Sequence, residues 1–188
     1  QADLALFYID CRDQQLTVFP EGQITGRLMT NAGRTRSFGG EASLLATLWR
    51  NLDLQVAYGY TRATFVKFDT GKADYAGNFI PYAPQHTLYA GASYTLRTGW
   101  NWLEYVIFRV AANGAGRIYW NEANPSPHPF SAVLEASFRF EHRHWAVDVW
   151  GRNLTDTRYD TFYFMSIGNS FLQRGRPRTF GVSLSITL

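Results

Sequence analysis

The sequence has one cysteine, Cys11, among 188 residues, which excludes an internal disulfide and any site built from several cysteines. Cys11 sits in a strand-like run and reads as a small apolar filler. Lysine is nearly missing too: of the 18 Lys+Arg, only Lys67 and Lys72 are lysine. The arginines are scattered, so no nucleic-acid partner is expected. No apolar stretch reaches the length of a membrane helix, which leaves strands, only half apolar, untouched. Helical periodicity is absent throughout.

The chemistry-bearing residues are also sparse. Four histidines are present, His86, His128, His142 and His144. His142 and His144 share a strand face by spacing but fall in a polar turn beside Glu141 and Arg143, with no further ligand near in sequence. No metal or cofactor is expected. Ser43, Ser93, Ser137, Ser183 and Ser185 have no histidine on the same face and level, and no phosphate loop or nucleotide fingerprint occurs. No enzyme is expected. Glu41, Asp53, Glu135, Glu141 and Asp148, interspersed with Arg139 and Arg152, read as a charge-paired interior.

What is present is alternation. Phe180, Val182, Leu184, Ile186 and Leu188 alternate with Thr179, Gly181, Ser183, Ser185 and Thr187. Leu52, Leu54, Val56, Tyr58 and Tyr60 do the same against Asp53, Gln55, Ala57, Gly59 and Thr61. So do Leu134, Ala136, Phe138 and Phe140. Period two puts a greasy face on one side of each strand and small polar groups on the other. The pattern predicts about eight long strands, roughly 2–19, 28–49, 52–68, 85–97, 100–119, 131–141, 144–163 and 175–188. The first is apolar on both faces, and the fifth changes phase near Glu104–Val106, which predicts a β-bulge there. Segments of this length and patterning predict an all-β, antiparallel, up-and-down transmembrane β-barrel over a single domain, residues 1–188.

Link lengths support a membrane wall. Short links at Arg50–Asn51, Thr98–Gly99 and His142–Arg143 alternate with longer ones near Pro20–Arg27, Asp69–Pro84, Ala115–Phe130 and Met165–Arg174. Outer-membrane barrels have that parity, with short periplasmic turns and longer external loops. Trp49, Trp100, Trp102 and Trp145 all lie beside short links, where one interfacial girdle belongs. Tyr60, Tyr82, Tyr119, Trp120, Phe130, Tyr159, Phe162 and Tyr163 gather toward the long links and predict the other. A soluble, aromatic-rich sandwich would have no reason to sort its indoles to one end.

The C-terminal stretch carries a resemblance. Asn153-Leu154-Thr155-Asp156-Thr157-Arg158-Tyr159, followed by Gly175-Arg176-Pro177-Arg178-Thr179-Phe180-Gly181-Val182, resembles the terminal signature of TonB-dependent outer-membrane receptors. Phe7-Tyr8-Ile9-Asp10, Asn31-Ala32-Gly33 with Gly39-Gly40-Glu41, and Ile80-Pro81 with Pro84-Gln85-His86-Thr87 follow in the right order. The resemblance implies roughly the final third of a barrel of about 22 strands plugged by another domain. It also implies uptake of a scarce nutrient, such as a ferric siderophore, haem, cobalamin or glycan, across the outer membrane of a Gram-negative bacterium. The implied partners are outer-membrane lipid, the barrel-assembly machinery, the plug and upstream strands with TonB acting through the plug, and the small nutrient. No counterpart of the plug is present in this stretch. Leu188 stands where the family usually has an aromatic residue.

Within the signature, Asn153, Leu154, Asp156, Tyr159, Gly175, Pro177, Arg178 and Phe180 are expected to shape and assemble the wall. Asn153 and Asp156 would satisfy local backbone groups, Pro177 would open the last strand, and Arg174, Arg176 and Arg178 would meet phosphates or acids at the rim. Tyr75, Phe79, Tyr82, Tyr119 and Trp120, in loops 69–84 and 115–130, are candidate ligand contacts; packing of the loops on themselves is the competing reading. Two architectures remain open. The strands form an arc of the larger barrel, which the many small inward residues favour, or they close into a small barrel serving as an anchor or adhesin. Gln1 leads directly into a strand with no export signal before it, as expected of a processed chain or of a piece of a longer one.

Overall fold

The structure, a computed structural model, describes residues 1–18, 28–31, 33–49, 51–71, 73–166 and 169–187. Arg50, Lys72, Ala32, Leu188 and the link 19–27 lie outside the described residues, as do the expectations placed on them.

Among the described residues twelve strands form, all antiparallel: β1 (Ala2–Arg12), β2 (Gln15–Val18), β3 (Leu28–Asn31), β4 (Arg34–Leu48), β5 (Leu52–Lys67), β6 (His86–Trp100), β7 (Leu103–Gly116), β8 (Ser131–His142), β9 (Trp145–Arg152), β10 (Asp160–Ser166), β11 (Asn169–Arg174) and β12 (Thr179–Ile186). Eight of them make one sheet in the order β1-β4-β5-β6-β7-β8-β9-β12. β1 and β12 are its two edges and do not pair with each other, so the sheet is an open, up-and-down arc.

Cross-strand register sorts residues into rows that share a face. One row runs Leu52, Tyr94, Phe108, Phe138, Val149, Val182 from β5 to β12. The neighbouring row on the opposite face runs Thr47, Asp53, Ser93, Arg109, Ser137, Trp150, Gly181. The apolar side is uncovered: Leu4 is 74% exposed, Val182 69% and Leu184 65%. A greasy face of this breadth, with nothing packed on it, suits hydrocarbon as its solvent. Along β4 the outward row Phe38, Gly40, Ala42, Leu44, Ala46, Leu48 carries no charge. Those positions advance about 34 Å along the strand, or about 26 Å along a barrel axis at the usual tilt, which matches the expected apolar band.

Three predicted strands are redrawn and one irregularity moves. The first divides into β1 and β2, and the second into β3 and β4. At the break Asp13 and Gly33 take left-handed backbones (φ 54° and 72°), and Asp13 N–H bonds Gly33 O at 2.7 Å. The β2–β3 pair is therefore a separate hairpin above the main sheet. The seventh ends at Arg152, because Asn153 is left-handed (φ 50°). Its far part becomes β10, which pairs with β11 (Phe164 opposite Phe171) where a bare link was expected. The irregularity placed at Glu104–Val106 lies across the ladder instead, between Arg97 and Trp100 of β6, where Gly99 supplies a left-handed residue (φ 75°).

Candidate functional site

The inner wall is the polar face of the arc. Arg139 of β8 reaches Glu141 through Nε at 2.7 Å and Asp148 of β9 through a terminal nitrogen at 2.7 Å. Strand pairing causes this directly, since Arg139 and Asp148 are opposite one another. Among the described residues Arg152 takes no carboxylate, and it lies 4.9 Å from the Trp150 ring centre, while the Trp150 indole N–H donates to Ser183 Oγ at 3.2 Å. Asp53 accepts from Thr47 Oγ1 at 2.7 Å. The small residues Gly91, Ser137 and Ser183 leave a shallow hollow among Asp53, Arg109, Glu135 and Asp148. Among the described residues no group of three His, Cys, Asp or Glu side chains lies close enough to hold a metal ion.

Above the wall stands a tier of loops. Here lies the core: Phe65 and Phe68 are 1% and 2% exposed, with Tyr75 and Ile80 packed against them. Phe79 stacks on Tyr119 at 5.3 Å with planes 10° apart. Tyr82 stacks on Phe162 at 5.3 Å, meets Trp120 edge-on at 5.6 Å, and donates its hydroxyl to Tyr163 O at 3.0 Å. Burial lifts the Tyr82 phenol above its ordinary range, and the Glu122 carboxylate adds to the lift. The five candidate contacts Tyr75, Phe79, Tyr82, Tyr119 and Trp120 are thus in one tier but engaged with each other or with Phe68 and Phe162. Phe79 is also bridged directly opposite Thr64. That puts it on the outward face, away from the interior.

Sequence reasoning missed the clasp that holds loops 69–84 and 115–130 together. Asn124, left-handed at φ 52°, donates through Nδ2 to Phe79 O at 3.0 Å and accepts from the Phe79 N–H. Asn78 Nδ2 donates to Glu122 O at 2.8 Å. The signal was Asn121-Glu122-Ala123-Asn124, since asparagine tolerates left-handed turns and bonds backbone locally.

The signature residues make a second clasp. Asn153 is 4% exposed; its Nδ2 donates to Thr157 O at 2.9 Å and to Arg176 O at 3.0 Å, and its Oδ1 accepts from Thr157 N–H at 2.9 Å. Asp156 accepts from the Arg178 N–H at 3.1 Å, and the Arg178 guanidinium faces Leu154 O. Gly175 lies so close beneath Tyr159 that a Cβ there would meet its ring at 2.1 Å. Pro177 precedes β12, which begins at Thr179, and Phe180 points outward at 70% exposure. The four tryptophans expected to form a girdle all lie at the short-link end. Trp49 is 83% exposed, Trp100 and Trp102 stack at 5.2 Å, and Trp145 stacks on His142 at 6.0 Å.

Comparison with known proteins decides the family. Residues 1–154 match the family described as TonB dependent receptor-like, beta-barrel. The chain belongs to the TonB-dependent receptor β-barrels. It is 25% identical to the pesticin receptor of Yersinia pestis over 97% of this chain and 26% of that protein. It is 26% identical to the pesticin receptor of Yersinia enterocolitica, again over 97% and 26%. The chain therefore spans about a quarter of the length of these curated relatives. Among solved structures, the ferric yersiniabactin uptake receptor of Yersinia pestis superposes with a TM-score of 0.80 at 22% identity, covering 98% of this chain and 27% of that one. A ferric citrate transporter superposes at 0.73 and 20% identity, covering 98% and 29%. These likenesses show that the open arc is the TonB-dependent receptor barrel fold.

Proposed function

We propose that the chain is the C-terminal wall of an outer-membrane receptor in a Gram-negative bacterium. That receptor takes up a scarce nutrient through TonB acting on a plug. The single observation that carries this reading is the two-faced open arc, with an uncovered apolar exterior and a small-residue polar interior. An arc with two unpaired edges is stable in lipid only when further strands cover those edges. An interior lined by Gly91, Ser137 and Ser183 leaves room for a filling domain. A ferric siderophore is the favoured cargo within the nutrient class, because the relatives reported above are named for ferric yersiniabactin and ferric citrate. The role of this segment is structural and selective, not enzymatic: it forms lumen and rim, and loops 69–84 and 115–130 stand at the entrance.

Of the aromatic candidates, Tyr82 and Trp120 are the better contacts. Phe79 faces outward with Tyr119 stacked on it, and Tyr75 belongs to the small core. The experiment is iron-limited growth of a strain lacking the full-length receptor, complemented with wild type or with a form deleted for 115–130, with ferric siderophores as the iron source. Rescue by wild type and failure of the loop deletion, with both proteins present in the outer membrane, supports the reading. Rescue by neither under any ferric chelate argues for a different nutrient.

A further inference from the structure

The outward face changes character abruptly at one level on β1, β4 and β5. On β1, β4 and β5 the outward rows below the change are apolar: Tyr8, Leu6 and Leu4; Phe38, Ala42 and Leu44; Tyr60, Tyr58 and Val56. At and above it the same face carries Arg62 opposite Phe38, then Arg36 opposite Asp10, then Arg34 opposite both Arg12 and Lys67. That is five cations against one carboxylate in the paired rows. Asp10 binds Arg34 closely and stands 3.9 Å from Arg36. Arg36 leans toward the Tyr8 ring at 5.8 Å, and Arg62 lies 5.6 Å from that of Phe79. The Arg36 Nε is out of water and finds no acceptor among the described residues. On β6 and β7 the Tyr60 row, one rung below Arg62, continues through His86 and Gly116.

A cluster of guanidinium groups on the membrane-facing side, directly above an aromatic belt, stands at the depth of lipid headgroups. Planar guanidinium forks bind phosphate oxygens in pairs, and the aromatic rings beneath fix the stems. Asp10 is the one carboxylate in these paired rows, so most of their positive charge is uncompensated within them. We propose that Arg12, Arg34, Arg36, Arg62 and Lys67 form a binding site for the phosphate-bearing headgroup of an outer-leaflet glycolipid, whose acyl chains lie along Leu4, Leu6 and Leu44. The inference rests on the outer-membrane reading above, which sets this face in lipid.

The test uses the full-length receptor in detergent, titrated with purified lipid A and read by native mass spectrometry. The comparison is between wild type and the combined variant Arg34→Gln, Arg36→Gln, Arg62→Gln, with Arg143→Gln at the opposite end as control. Heat-modifiable migration checks that each is folded. Wild type and R143Q bind lipid A alike, and the triple variant binds at least about tenfold more weakly. Dephosphorylated lipid A removes the difference. Equal binding by the triple variant overturns the proposal, as does displacement of lipid A by an equimolar amount of inorganic phosphate, which marks a free-anion site. If the receptor resides in the outer membrane and these differences fail, this inference alone falls. If it does not reside there, the reading beneath it falls too.

Discussion

In the wall, Val182 and Leu184 show two thirds of their surface, whereas in the tier above Phe65 and Phe68 show almost none. Both regions are rich in apolar side chains, yet they spend them oppositely. The wall turns them outward and is held by its hydrogen-bond ladders. The tier turns them inward and behaves like a small water-soluble core capped by asparagine clasps. Lipid explains the wall, since hydrocarbon covers apolar groups as well as protein does but satisfies no backbone polar group.

The widest separation between the two regions comes from charge. Leu44→Arg, midway along the outward row of β4, is expected to lower stability by about 2–4 kcal/mol in a bilayer. Ser43→Arg next to it, on the wet face, is expected to change it by less than about 1 kcal/mol. Equilibrium unfolding of the refolded full-length receptor in lipid checks both, and equal costs would break the assignment of faces. The second test addresses the polar clasp at the seam. Asn153→Ala strips partners from buried backbone groups and is expected to cost about 2–3 kcal/mol, read as a fall in thermal midpoint.

A smaller effect is expected in the tier. Tyr82→Ala removes two aromatic contacts and a hydroxyl bond, for roughly 1–2 kcal/mol of local stability. Hydrogen exchange should rise in 78–84 and 117–124 and stay unchanged in β6 to β9. Smallest of all is Arg139→Gln, which breaks two half-exposed ion pairs and is expected to cost about 1 kcal/mol or less. A larger loss would mean that the inner wall is drier than its polar lining implies.

The wall was legible because period-two patterning is enforced at every position: a slip of one residue would turn Leu52, Val56 and Leu44 into the lumen. The tier was not, because its order depends on single left-handed residues that leave the pattern intact. Asp13 and Asn153 each redirect the chain inside a run that alternation draws as one strand, and Asn124 turns it within a link where no alternation exists to read. Hence strand 144–163 was drawn straight through Asn153, and β11 was read as a link. The candidate aromatics were legible as a group, since each flanks a long loop. Their partners were not, because stacking of Phe79 on Tyr119 and of Tyr82 on Phe162 joins segments far apart in sequence. Nor was the basic outward patch, whose members come from three strands and meet only through register.

The Asn153 knot also alters the arithmetic of how the last two wall strands find each other. β9 and β12 are separated by the whole excursion that contains β10 and β11, and the entropy of closing a chain grows with the length closed. By holding Thr157 and Arg176 at one point, the amide side chain makes that excursion a tethered appendage with its own root. Its tip is then free to lengthen, shorten or change sequence while the terminal strand keeps its alignment, so this arm is where diversification would leave the seam undisturbed.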